Sequence, residues 1–203
     1  MPSFHPEPPF THGQADRTAV LLCNLGTPDE PTAPAVRRYL AQFLGDHRVV
    51  EIPKLLWMPI LHGIILRTRP AKSAAKYASI WTPEGSPLAH WTAKQATLLR
   101  GWLGEAGHAV LVRHAMRYGN PSIASQLDAL KAGGATRILI LPLYPQYSAT
   151  TTASVFDAVY TWAAATRNVP ELRFVNHDHD APGYIDALPR TLETHWQHHG
   201  QPD

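Results

Sequence analysis

Residues 19–25 read AVLLCNL and run directly into Gly26-Thr27-Pro28. A short apolar run without polar alternation, closed by a turn, is the pattern of a strand buried on both faces. Working outward, residues 33–43 place Val36, Tyr39, Leu40 and Phe43 at helical spacing with Arg37 and Arg38 opposite, which predicts an amphipathic helix. Residues 108–112 form a second strand candidate, Asn120-Pro121 opens a helix over 123–132, and Gly133-Gly134 stops it. The strand signal returns at residues 137–143 (RILILPL), followed by a helix over 155–165, a short strand over 172–175 and a helix from 183 to about 199. Strands alternating with helices of this length predict right-handed βαβ units and a parallel sheet, an α/β fold.

Composition narrows the function classes. With 44% hydrophobic and 17% charged residues, the 203-residue chain can bury a core. A formal net charge of +2, with no Lys/Arg run, argues against nucleic acid as a partner. Cys23 is the single cysteine and sits inside the first strand, so there is no disulfide framework, which suits a cytoplasmic protein. Residues 1–17 are rich in proline without the apolar stretch of a secretory signal and read as a disordered leader. The apolar segment 55–66 (LLWMPILHGIIL) is broken by Pro59 and His62 and falls short of the ~20 residues needed to cross a bilayer. It can lean on a membrane surface without spanning one.

In an open parallel sheet, ligands bind beyond the C-terminal ends of the strands. The segments there are 24–28, 114–118, 144–148 and 176–180, and they carry Asn, His, Arg, Tyr and Ser where the strands before them are apolar. Convergence of polar groups at one edge reads as a site, although solvent-facing loops are also polar.

Four strings go further. They are residues 20–28 (VLLCNLGTP), 48–66 (RVVEIPKLLWMPILHGIIL), 67–88 (RTRPAKSAAKYASIWTPEGSPL) and 141–154 (LPLYPQYSATTTAS), with Met116-Arg117-Tyr118 between them. From about Thr18 to its last residue the chain resembles the bacterial ferrochelatases, and strings this long are far more specific than a lone glycine motif. The resemblance implies a chelatase-like fold of two similar Rossmann-like domains facing each other across a porphyrin cleft. Residues 18–176 would be the first domain and 177–203 the opening segment of a truncated second one. It implies insertion of ferrous iron into protoporphyrin IX or coproporphyrin III, in the cytoplasm or at its membrane.

The resemblance also distributes roles. Leu25, Leu40, Phe43 and Trp57 would form an apolar slot, though core packing accounts equally for Trp57 and for Ile64-Ile65-Leu66. Arg69, Tyr77 and Ser86 fall where the family binds porphyrin: Arg69 can fork to a propionate, and the two hydroxyls can donate hydrogen bonds. Arg67, two residues away, can take the same role. Arg117 and Tyr118 would reach the porphyrin face, or Arg117 pairs only with a carboxylate across a loop. Tyr144, Tyr147 and Ser148 would shape their loop. Where some members carry an iron–sulfur ligand cysteine this chain has Ala149, so no cofactor is assigned to it.

The family's metal-handling His and Glu are expected outside these 203 residues, so no catalytic or metal residue is assigned within them. His199-Gly200-Gln201-Pro202 imitates the family's His-Gly-x-Pro string, but His199 ends a helix instead of a strand, with Gly200 as its cap. Residues 176–180 (NHDHD) have the side chains of a metal cluster, but alternating loop residues seldom converge and the family does not use this segment as its metal site. Two rivals remain: a porphyrin- or partner-binding half-domain without turnover, and a corrinoid cobalt chelatase, against which the YPQYS and EGSPL strings stand.

Overall fold

A computed structural model of the chain describes residues 4–9 and 12–201. Strands β1 (Thr18–Gly26), β2 (Leu111–Tyr118), β3 (Arg137–Pro142) and β4 (Glu171–Phe174) form one parallel sheet in the order β2-β1-β3-β4. β1 is therefore interior. Alternate side chains of this strand go to opposite faces. Ala19, Leu21 and Cys23 pack with Leu127 and Leu130 of α5 (Ile123–Ala132) and with Val155, Val159 and Trp162 of α6 (Ser154–Ala164). Val20 and Leu22 pack on the other face with Ala96, Leu99 and Leu103 of α4 (Pro87–Glu105). Burial on both faces is the reason the strand reads as a continuous apolar run.

The helix at Ala33–Gly45 (α1) buries Val36, Tyr39, Leu40 and Leu44, as its spacing requires. α5 spans Ile123–Ala132, the expected residues, with Ser122 as its N-cap accepting from the Ser125 N–H at 3.2 Å. The second strand is displaced from the expected residues 108–112. It runs Leu111–Tyr118 because β2 is an edge strand, and its Arg113, His114 and Arg117 interrupt the apolar pattern without ending the ladder. Residues 114–118 are thus strand, not loop.

The sequence reading assigns no helix between residues 54 and 105, where three lie. α2 (Lys54–Ile60), a π turn (Leu61–Ile65) and α3 (Leu66–Ala78) follow one another without a break. Pro59 and Pro70 mask them. Pro70 has no N–H to give the Leu66 carbonyl and its ring crowds that group, and the helix widens into the π turn just before it. Leu61, Leu66 and Ala74 pack with α1 and with Tyr118 into a third cluster above the C-terminal end of the sheet.

Before β1, the expected disordered leader is tied down at several described points. The His5 N–H donates to the Ala165 carbonyl (2.8 Å), and Glu7 accepts the N–H groups of Arg167 and Asn168 (3.1 Å each) while pairing with Lys131. A carboxylate that caps orphan donors just after α6 gives an otherwise polar segment a reason to stay. At the other end, α7 (Pro182–His199) has no buried residue, and Gly200 (φ +83°) closes it by donating to the Trp196 carbonyl at 2.8 Å.

Candidate functional site

The ends of β1 and β2 interlock through two glycines. Gly26 (φ +107°) lies so close to β2 that a Cβ there would stand 1.8 Å from the Tyr118 carbonyl oxygen. Gly119 (φ +86°) answers it from the other strand, where a Cβ would meet the Thr27 carbonyl oxygen at 2.6 Å. Only glycine combines that backbone conformation with that approach. The pair fixes Leu25 and Tyr118 at one level of the crevice.

Beside them sits a buried polar hub that the sequence reading did not foresee. Asp46 follows α1, with its side chain 4% exposed. Its Oδ2 accepts hydrogen bonds from Ser154 Oγ (2.6 Å), Tyr118 Oη (2.7 Å) and Arg117 Nη2 (2.7 Å), and its Oδ1 from the Arg48 N–H (2.8 Å). Burial alone pushes this carboxyl up; the hydrogen bonds from Ser154, Arg48 and Tyr118 and the charge of Arg117 outweigh it and hold the group below the ordinary Asp range. Arg117 Nε also donates to the Ser154 carbonyl at 2.8 Å. Burial, helped by the neighbouring Asp46, pushes the Tyr118 hydroxyl up to about 12. One signal was available in the sequence: an acid just after a helix faces the negative end of the helix dipole and calls for a cationic partner.

Next to the hub, beyond the end of β1, lies an open cavity of ≈ 520 Å³. Leu25, Tyr39, Tyr77, Ile80, Ser86 and Trp91 are among its walls. Tyr39 and Tyr77 meet edge to face, ring centroids 6.2 Å apart, which stiffens one wall. Trp91, 57% exposed, forms an apolar margin, and Ser86, at the N-terminus of α4, supplies a hydroxyl. An apolar slot with a few hydroxyls at its edge fits a flat, largely apolar ligand.

Of the residues singled out from sequence, Leu25, Tyr77 and Ser86 come together in this cavity. Arg69 and Arg67 both lie exposed on α3 and are not part of its walls. Arg117 and Tyr118 instead face the hub: Tyr118 is 1% exposed, and Arg117 pairs with a carboxylate, as one of the two readings has it. Trp57 packs against the third cluster and donates its Nε1–H to the Leu44 carbonyl at 2.7 Å, and Leu66 is buried, whereas Ile64 is exposed. Tyr144 is packed against the main core, Tyr147 is half exposed, and Ser148 accepts from the Thr150 N–H at the turn before α6. The segment 176–180 brings His177, His179 and Asp180 together, all exposed, with ligand atoms within 4.8 Å of one another. Cys23 is buried within the main core, and desolvation pushes its thiol far up.

Comparisons with known proteins name the family. The ferrochelatase family model matches residues 17–203. The chain is 74% identical over 196 residues to a ferrochelatase of Methylibium petroleiphilum, covering 97% of this chain and 54% of that protein. It is 71% identical over 203 residues to one of a Polaromonas species (98% and 55%) and 59% identical over 200 residues to one of Dechloromonas aromatica (98% and 54%). The chain spans about half the length of the curated relatives it matches. With an α/β fold, an apolar slot at the strand ends and a family match over nearly all of its length, the chain belongs to the ferrochelatase family.

Proposed function

We propose that these residues are the porphyrin-holding half of an enzyme of haem biosynthesis that inserts ferrous iron into protoporphyrin IX or coproporphyrin III. The observation that carries the proposal is the slot walled by Leu25, Tyr39, Tyr77, Ser86 and Trp91 at the end of β1 in a chain of this family. Metal insertion requires two pyrrole N–H protons to leave and the nitrogen lone pairs to tilt out of the ring plane. A planar conjugated ring resists both, so the protein must hold a bent ring and present a base to one face. In this reading the slot takes the apolar plate, and Tyr77 and Ser86 donate hydrogen bonds at its edge. Arg69, exposed on α3, offers its guanidinium to a propionate. The hub around Asp46 keeps Arg117 and Tyr118 in fixed positions below the ring. The base is proposed to come from outside these 203 residues, so the chain alone holds porphyrin without turning it over.

Exposed Leu55, Leu56 and Ile64 support a second element of the reading, contact with the membrane surface that carries an apolar substrate. No helix among the described residues is long and apolar enough to cross a membrane.

The test is a titration of protoporphyrin IX into the purified chain, read by tryptophan quenching, beside zinc insertion read by porphyrin fluorescence. Saturable binding is expected, weakened by Trp91→Ala and by Ser86→Ala, with insertion at the protein-free rate. Turnover well above that rate would overturn the holding-half reading; absence of saturable binding would remove the slot.

A further inference from the structure

At the far end of the same sheet edge, the chain after β4 is pinned at three backbone points. The Val175 N–H donates to the Ile140 carbonyl (3.0 Å), the Asp178 N–H to the Pro145 carbonyl (3.0 Å), and the Ala181 N–H back to the Asp178 carbonyl (3.1 Å). The first two bonds hold residues 175–178 against β3 and the loop after it, and the third closes a turn over 178–181. His177 and His179, two apart along the chain, fall on one side, their ring centroids 4.9 Å apart. The turn then returns Asp180 to them, its Oδ1 3.9 Å from His177 Nδ1. The general expectation that alternating loop residues diverge fails here because the turn reverses the chain.

We propose that His177, His179 and Asp180 form a binding site for one divalent first-row transition-metal ion. Two imidazoles and one carboxylate suit Fe²⁺, Co²⁺, Ni²⁺ or Zn²⁺ and are a poor match for Mg²⁺ or Ca²⁺, which prefer all-oxygen shells. Donors bound to one ion at ~2.1 Å stand roughly 3–3.5 Å apart, so separations of up to 4.8 Å close by side-chain rotation with the backbone unmoved. All three side chains are exposed, and among the described contacts none of them is engaged in a hydrogen bond, so the ion displaces only solvent. Water fills its remaining positions. The site lies at the β4 end of the sheet edge whose β1 end carries the slot, so its occupant is a cation held on the same edge as the porphyrin-binding region. That placement in the reaction rests on the chelatase reading; the binding does not.

Co²⁺ titrated into the full chain, followed by visible absorption and calorimetry, tests the site, with anaerobic Fe²⁺ as the second probe. One saturable site is expected, undisturbed by millimolar Mg²⁺. His177→Ala with His179→Ala should weaken it by roughly tenfold or more, as should Asp180→Ala. The rival pair is His195 and His199 on α7, whose rings are 4.5 Å apart. His195→Ala with His199→Ala should leave the affinity unchanged. No saturable binding, binding untouched by the first pair of substitutions, or binding lost with the second pair would each overturn the proposal. Porphyrin quenching by the His177→Ala/His179→Ala chain separates the two ideas: it should match the unaltered chain, since neither residue belongs to the slot.

Discussion

The two ends of the sheet's C-terminal edge use polar side chains in opposite ways. At the β1–β2 end, Asp46, Arg117, Tyr118 and Ser154 hydrogen-bond one another and are largely withdrawn from water. At the β4 end, His177, His179 and Asp180 are exposed, joined among the described contacts only by the His177–His179 ring contact at 4.9 Å and the His177–Asp180 approach at 3.9 Å. Arg117 and Tyr118 end a strand, the His177–Asp180 segment follows one, and both groups look like site residues by type. What separates them is commitment: hydrogen-bonding capacity that neighbours already use builds and stiffens the crevice, whereas capacity left open is available to a ligand. Slot residues lie between the two, with Ser86 buried at the slot's edge and Trp91 open to it.

Substitutions at the committed end should therefore cost the most stability. Gly26→Ala is expected to have the largest effect, about 3 kcal/mol or more. It adds a methyl 1.8 Å from a backbone oxygen at a φ of +107°, so neither strand end can relax without breaking the ladder. Chemical denaturation of the two proteins checks this. A loss below about 1 kcal/mol would mean that the strand ends are not rigidly interlocked.

Asp46→Asn comes next, at roughly 2–3 kcal/mol, because it leaves Arg117 partly buried beside a neutral group and turns an amide N–H₂ toward three donors. The hub also predicts a pH dependence. Its folded carboxyl lies below the ordinary Asp value of ~3.9, so the unfolded chain takes up the proton first as pH falls. The stabilisation is thus complete at neutral pH, persists to about pH 4, and is lost as pH falls through the lower folded value. Asp157, held low by its hydrogen bond and charge pairing with Arg48, adds to the same window. Stability curves of the unaltered chain and Asp46→Asn should converge on acidification below pH 4. Parallel curves down to pH 2 would take Asp46 out of the linkage.

How much of this was legible in the sequence follows from the same distinction. β1, β3, α1, α5 and α6 were readable because each buries a face or a whole strand in an uninterrupted pattern, and β4 because Leu172 and Phe174 pack against the same core; α7, which has no buried residue, was readable only from the helical spacing of Leu188, Leu192 and Trp196. The second strand was misplaced because an edge strand tolerates Arg113 and Arg117 where an interior one does not. The helices over 54–105 were hidden by Pro59 and Pro70 and by a buried face made of small residues such as Thr92 and Ala96. Leu25, Tyr77 and Ser86 were found through family strings. Asp46 and Ser154 were missed because the one signal present, an acid at the C-terminal end of a helix, does not tell which donors far along the chain will meet it.

The smallest stability effect is expected on the outer surface of α2 and the π turn. Leu55 and Ile64 are 88% and 57% exposed, so replacing both with Asn removes little buried apolar area, and the change should stay within about 0.5 kcal/mol. Their neighbours behave differently: Leu61 and Leu66 point inward and are buried, so one continuous helical stretch carries both a packed face and an open apolar one. Water gains nothing from the open face, and the fold does not use it. A monomeric surface seldom keeps such a patch without a partner. If the partner is a lipid surface, Leu55→Asn with Ile64→Asn should lower the chain's partition onto phospholipid vesicles, measured by sedimentation, several-fold without shifting the melting temperature. The same double change with unaltered partitioning would assign the patch elsewhere. A fall in melting temperature of more than a few degrees would show that the face is buried in solution, and that the open end of this molecule is more committed than its exposure indicates.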